Sequence, residues 1–249
     1  FFGGYTGAPT WYGVSKADTE AYNGTNFSEV NDMIIPRRTF ASAGLSGIAA
    51  LAIGGYNDTT FGPTGNPAAT SNMDCATEEW NGTNWSSVAQ VSVPSRQGSG
   101  AGSVNSAVIF GDIVNRTETY EYDGSSWSEG GSGHESRYGA GGGGTQNDAI
   151  SFAGWAYPIP NAGNCTQTYD GTVWAASGDM TISVRQNLAT QGNQGQAPNA
   201  FAVGGTGVPN NYIAMTCTEE YSGISGGELS VGLLTADILK GDASGFSGS

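Results

Sequence analysis

The residues able to do chemistry are few. His134 is the only histidine in 249 residues, so one chain supplies neither a His-based metal cluster nor a paired His acid and base. Flanked by Gly133, Glu135 and Ser136, it reads as a surface-loop histidine. Glu20, Glu78, Glu79, Glu118, Glu121, Glu219 and Glu220 recur beside one repeated motif. A calcium site needs about six oxygens converging on one point, whereas carboxylates at one position per repeat are spread apart, so a structural role is expected. The Asn57-Asp58-Thr59 segment is the better calcium candidate. The run Tyr138-Gly-Ala-Gly-Gly-Gly-Gly-Thr145 lacks the Lys and following helix of a phosphate-binding loop. Cys75, Cys165 and Cys217 are odd in number and widely spaced, pointing to free, buried thiols. Sequons such as those at Asn23, Asn81 and Asn84 coincide with Asn-Gly turns, which explain them without glycosylation. No catalytic residue, metal site or cofactor is expected.

What must position these residues is an internal repeat. Four copies read Thr19-Glu-Ala-Tyr22-Asn-Gly-Thr-Asn-Phe27, Thr77-Glu-Glu-Trp80-Asn-Gly-Thr-Asn-Trp85, Thr119-Tyr-Glu-Tyr122-Asp-Gly-Ser-Ser-Trp127 and Thr166-Gln-Thr-Tyr169-Asp-Gly-Thr-Val-Trp174. A fifth, Thr218-Glu-Glu-Tyr221-Ser-Gly, stops before its second aromatic. Asn-Gly and Asp-Gly supply turn torsions between β-prone residues, so each copy is a hairpin. A two-residue turn places Tyr22 opposite Thr25 and a four-residue loop places it opposite Phe27; the motif is compatible with both. Before each hairpin runs a short apolar strand closing on glycine, as in Ala50-Leu-Ala-Ile-Gly-Gly55 and Ala200-Phe-Ala-Val-Gly-Gly205, the pattern of a strand buried on both faces. Further upstream stands an arginine, Arg38, Arg96, Arg137 or Arg185, at 11, 11, 10 and 11 residues after the preceding aromatic. These arginines are expected to share one repeat position and to bind carbonyls or a neighbouring Glu.

The period from first aromatic to first aromatic is 58, 42, 47 and 52 residues. Four short antiparallel strands per period is the signature of a β-propeller blade. The expected fold is all-β, with about five four-stranded blades and incomplete terminal ones. Residues 1–223 form the propeller, and 224–249 are a tail strand that closes it or contacts a partner. Glu228–Leu234 is the candidate closing strand, with residues preceding Phe1 as the alternative. The opening Phe1-Phe2-Gly3-Gly4 reads as a cut inside a larger polypeptide.

The Arg, the Gly-Gly after an apolar strand, and the Tyr followed by Trp resemble the kelch family over about residues 1–223. The wording Thr77-Glu-Glu-Trp-Asn-Gly-Thr-Asn-Trp85 is similar to kelch-like arrays in structural and tail proteins of marine bacteriophages, of the cyanophage type. The pattern departs at Gly111-Asp112, at Ala153-Gly154 and at Gly226, where Trp is replaced. The resemblance implies Trp80, Trp85, Trp127, Trp174, Tyr22, Tyr122, Tyr169 and Tyr221 as structural repeat residues. It implies a noncatalytic virion component (tail fibre, spike or capsid-attached appendage) in an extracellular particle, used in assembly or in binding a host-surface glycan or receptor. Its partners would be other virion proteins or copies of itself. The alternative is a secreted propeller enzyme or lectin acting on carbohydrate.

Charge narrows the partners. Eight Lys and Arg against 22 Asp and Glu give a net charge of -14, which disfavours nucleic acid and anionic membranes. The longest apolar run, 48–53, is far too short for a membrane-spanning helix. Binding is therefore expected at exposed loop aromatics: Tyr56 and Phe61 in one long insertion, Trp155 and Tyr157 in a shorter one.

Overall fold

The structure is a computed structural model. It describes residues 2–6, 14–57, 75–113, 117–131, 134–156, 163–181, 184–186, 189–192, 199–204, 206–207, 213–214, 218–222 and 232–234.

The hairpins form as four-residue loops. Tyr22 faces Phe27, Trp80 faces Trp85, Tyr122 faces Trp127 and Tyr169 faces Trp174. The first turn residue decides this register. The side-chain oxygen of Asn23, Asn81, Asp123 or Asp170 accepts from the two backbone N–H groups two and three residues on, at 2.7–3.0 Å. The paired rings then lie with centroids 4.8–5.6 Å apart, a packing distance for aromatic pairs.

Each hairpin adds to the apolar strand before it, and that strand pairs with a small-residue strand. The second unit is Ala41–Ser46, Ala49–Ile53, Thr77–Trp80 and Trp85–Val88, antiparallel in that spatial order. The third is Ser99–Ser103, Ser106–Phe110, Thr119–Tyr122 and Trp127–Glu129. The fourth is Gly141–Thr145, Asp148–Phe152, Thr166–Tyr169 and Trp174–Ser177. The fifth is Ala189–Gly192, Asn199–Val203, Thr218–Ser222 and Gly232–Leu234. Its outer strand therefore comes from the tail, with Leu234 opposite Thr218. In the first unit Thr19–Tyr22 pairs with Phe27–Val30 and Phe2 is bridged to Thr19, while the short strands Tyr5–Thr6 and Val14–Ser15 pair with each other.

The first strands of units two to five pack side by side around an axis. Crowding there explains the glycine run. A Cβ on Gly100 would sit 2.5 Å from the Ser42 carbonyl oxygen, and one on Gly142 would sit 2.8 Å from the Phe110 ring. Alternate residues of each second strand pack against opposite neighbours. Val108 and Phe110 join Ala149, Tyr169 and Trp174 of the fourth unit, while Ala107 and Ile109 join Leu51 and Ile53 of the second. Both faces are covered, as the continuous apolar runs required. Specific bonds set the stacking: the Trp85 indole N–H donates to the Thr19 hydroxyl at 3.0 Å, and Trp174 to Thr119 at 2.9 Å. Each links a unit to the one before it.

Candidate binding site

The arginines occupy two positions rather than the single one expected. Strand pairing fixes the alignment. Arg38 pairs with Tyr56 and Tyr138 with Trp155, each partner following the glycine end of its second strand, and Gln186 pairs with Thr206 in the same way. The backbone carbonyl of Arg96 accepts from Ile113 N–H at the corresponding point. Arg38 and Arg96 thus stand where Tyr138 and Gln186 stand. Arg137 and Arg185 match Arg37 and Ser95, one residue earlier.

The earlier position points inward. Arg37 is fully buried; its Nη1 donates to the carbonyls of Gly54 and Ala76 at 2.8 Å, and its Nη2 lies 2.5 Å from Glu78 Oε1. Glu78 also accepts from the backbone N–H groups of Ile34 and Ile35. Arg137 repeats the pattern on Ala153, Cys165 and Gln167, with Glu135 3.4 Å away. Burial pulls its pKa down, and Glu135 opposes the shift. The third unit has Ser95 here, and at the Glu78 position it has Tyr120, whose hydroxyl donates to Glu118. Arginine and its acceptor therefore change together. The side chain of Arg185 lies outside the described residues.

The later position, half-buried, converges on one ring. The guanidinium carbons of Arg38 and Arg96 lie 4.8 and 5.0 Å from the centroid of one ring, that of Tyr56, within cation–π range. Burial lowers the Arg96 pKa; the Tyr56 phenol hydroxyl opposes this, the Arg38 charge adds to it, and the Tyr138 hydroxyl again opposes. Beside them Tyr138 and Trp155 stack with centroids 6.2 Å apart. The next residues, Thr39, Gln97 and Gly139, have φ of +52°, +57° and +63°, and Gln97 N–H donates to Thr39 O while Gly139 N–H donates to Gln97 O. Thr39 and Gln97 hold left-handed backbone without being glycine, a strain of order 1 kcal/mol each. Guanidinium groups and aromatic rings are thus gathered at one place, the chemistry that elsewhere pairs with carboxylates and stacks on flat faces.

Several expected sites change on this framework. Tyr56 is 2% exposed, so it is a buried platform beneath two arginines rather than an exposed loop aromatic. Trp155 is half-buried against Tyr138. Phe61, Tyr157 and the calcium candidate Asp58 lie outside the described residues. His134 is 3% exposed, so it is no surface-loop residue. It packs 5.4 Å from Phe110 and 4.9 Å from Trp174, with Nε2 3.0 Å from Ser151 Oγ. The carboxylates diverge: Glu78 and Glu219 are buried, Glu79, Glu121 and Glu220 half-buried, Glu20 and Glu118 exposed. Among the described residues no three His, Cys, Asp or Glu side chains gather to hold a metal. Cys75 and Cys165 are half-buried thiols outside any disulfide rather than fully buried ones, Cys217 lies outside the described residues, and burial pushes the Cys165 pKa up. Arg37 and Tyr138 carry roles that motif counting passed over. Counting back from the first strand, instead of forward from the preceding aromatic, picks out both.

No protein-family model matches the chain, and no curated protein matches it. Among solved structures 163 chains match. One, titled "Structure of YjhT", superposes with a TM-score of 0.71 at 11% identity, over 93% of this chain and 80% of that one. The fold is a β-propeller. It has about five antiparallel blades, the second to fifth four-stranded and the first incomplete among the described residues, where no helix occurs.

Proposed function

We propose that this propeller is a noncatalytic structural protein of a phage virion, part of a tail fibre, spike or capsid-attached appendage, that contacts a host-surface glycan through the Arg38–Tyr56–Arg96 cluster. The observation carrying the reading is the division of the polar groups. Arg37, Arg137, Glu78 and His134 are buried and hydrogen-bonded within and between blades, which is architecture. The two arginines over Tyr56, with the Tyr138–Trp155 pair, form a place among the described residues where cations and aromatics gather in a chain of net charge -14. That combination suits a carboxylate-bearing sugar: bidentate donors for the acid, ring faces for the pyranose. The resemblance of the hairpin wording to marine phage arrays supplies the virion context. An extracellular particle with few Lys is consistent with it.

Cryo-EM of the particle or filament that carries the chain tests this reading. A propeller docked in a virion with the Arg38–Arg96 cluster facing outward supports it. A free propeller with an ordered substrate and a carboxylate cluster at its axis would favour the secreted carbohydrate-active enzyme instead.

A further inference from the structure

We propose that the first and fifth units present the two walls of an open interblade slot, and that its occupant is one further four-stranded unit of the same repeat pattern. The repeat supplies its own controls. The opposed aromatics of units two and four, Trp80–Trp85 and Tyr169–Trp174, are buried, as is Tyr122 with Trp127 half-buried. Tyr22 and Phe27 of the first unit are 58% and 62% exposed. Glu20 is exposed where Glu78, Tyr120, Gln167 and Glu219 are buried. All three lie on the face that, in later units, meets the preceding blade. The other face of the same strand is normal: Thr19 is buried and receives the Trp85 indole.

The fifth unit shows the converse. Val203 is 45% exposed, against 0–3% for Ile53, Phe110 and Phe152 at the same position. Thr218 is half-buried, whereas Thr19, Thr77, Thr119 and Thr166 are 1–4% exposed. Its opposite face is normal, with Ala200 and Ala202 packed on Ile150 and Phe152. The two open walls are thus the trailing face of one blade and the leading face of another, complementary to the two sides of a blade. A unit carrying a Trp toward Thr218 and an apolar strand toward Phe27 continues the established interblade interface in both directions.

The test extends the full chain at its start with a copy of residues 95–150, a complete unit followed by one innermost strand and the start of the second strand, so that Phe1 follows at the Ser151 position and Phe2, bridged to Thr19, takes the place of Phe152 paired with Thr166. Filling the slot should raise Tm by roughly 10 °C, since several large apolar side chains leave water. Phe27→Ser should abolish most of that gain while shifting the parent chain by no more than about 2 °C, as expected for an exposed site. An extended chain melting with the parent would overturn the proposal. So would an equal loss in parent and extended chains, which would mean that the first and fifth units already close on each other. A parent that sediments as a dimer and is split by Phe27→Ser would overturn it in favour of a second copy as occupant.

Discussion

Arg37 and Arg38 are adjacent in sequence and opposite in use. Arg37 turns into the blade and ties together two carbonyls and a carboxylate; Arg38 turns out over the Tyr56 ring. Extended backbone alternates its side chains, so one residue of register separates a buried hydrogen-bonded pin from a cation stacked on an aromatic ring. The same comparison runs through the repeat. Arg137 is a pin and Tyr138 stacks on Trp155; Ser95 occupies the pin position, and Arg96 lies over the Tyr56 ring. For Arg37, Arg38, Arg96 and Arg137 the role therefore follows the place relative to the first strand, not the chemistry of the guanidinium.

The comparison is sharpest under truncation. Arg37→Ala leaves Glu78 charged and buried and two carbonyls without donors, a loss of about 3–5 kcal/mol; urea denaturation should show it as a large drop in midpoint at unchanged slope. Replacing both Arg37 and Glu78 by Met should recover most of that loss, because the pair's cost of desolvation vanishes with it. Arg137→Ala should cost less, about 2 kcal/mol, since its main side-chain acceptor is the neutral Gln167. Tyr169→Phe is smaller again, about 1 kcal/mol at neutral pH, and carries a pH signature. Burial and the hydrogen bond to Glu121 push the Tyr169 pKa from 10.0 up to about 12. A raised folded-state value means its contribution is complete below pH 10 and is lost as pH rises toward 12. Thermal melts across that window should fall more steeply for the parent than for the Phe variant.

Much of the fold was legible in the residues. Hairpins, apolar second strands and the blade count follow from turn chemistry and periodicity, because each unit repeats the same local solution. The turn register was not legible: Asn-Gly permits two- and four-residue loops, and the choice rests on side-chain acceptance by Asn23, Asn81, Asp123 and Asp170 together with ring pairing. The arginine position was misjudged by one residue because spacing from the preceding aromatic crosses a connection of variable length. The strand pairing of Arg38 with Tyr56 and of Tyr138 with Trp155 removes that ambiguity. Tyr56 was expected to be exposed because it follows Gly-Gly at the mouth of an insertion. Its burial arises from two arginines on neighbouring units, a contact that no local pattern encodes. His134 was misplaced for the same reason, since Phe110, Ser151 and Trp174 reach it from other strands.

The most direct measurement takes Arg96→Ala and reads stability and glycan binding on the same protein, with a uronic-acid polysaccharide as the probe. Loss of a half-buried cation–π contact is worth about 1 kcal/mol, so Tm should fall by only about 2–4 °C while binding weakens at least tenfold, roughly 1.4 kcal/mol or more. A variant that melts far below the parent yet binds the polysaccharide unchanged would return Arg96 to the structural row and contradict the division between the two arginine positions.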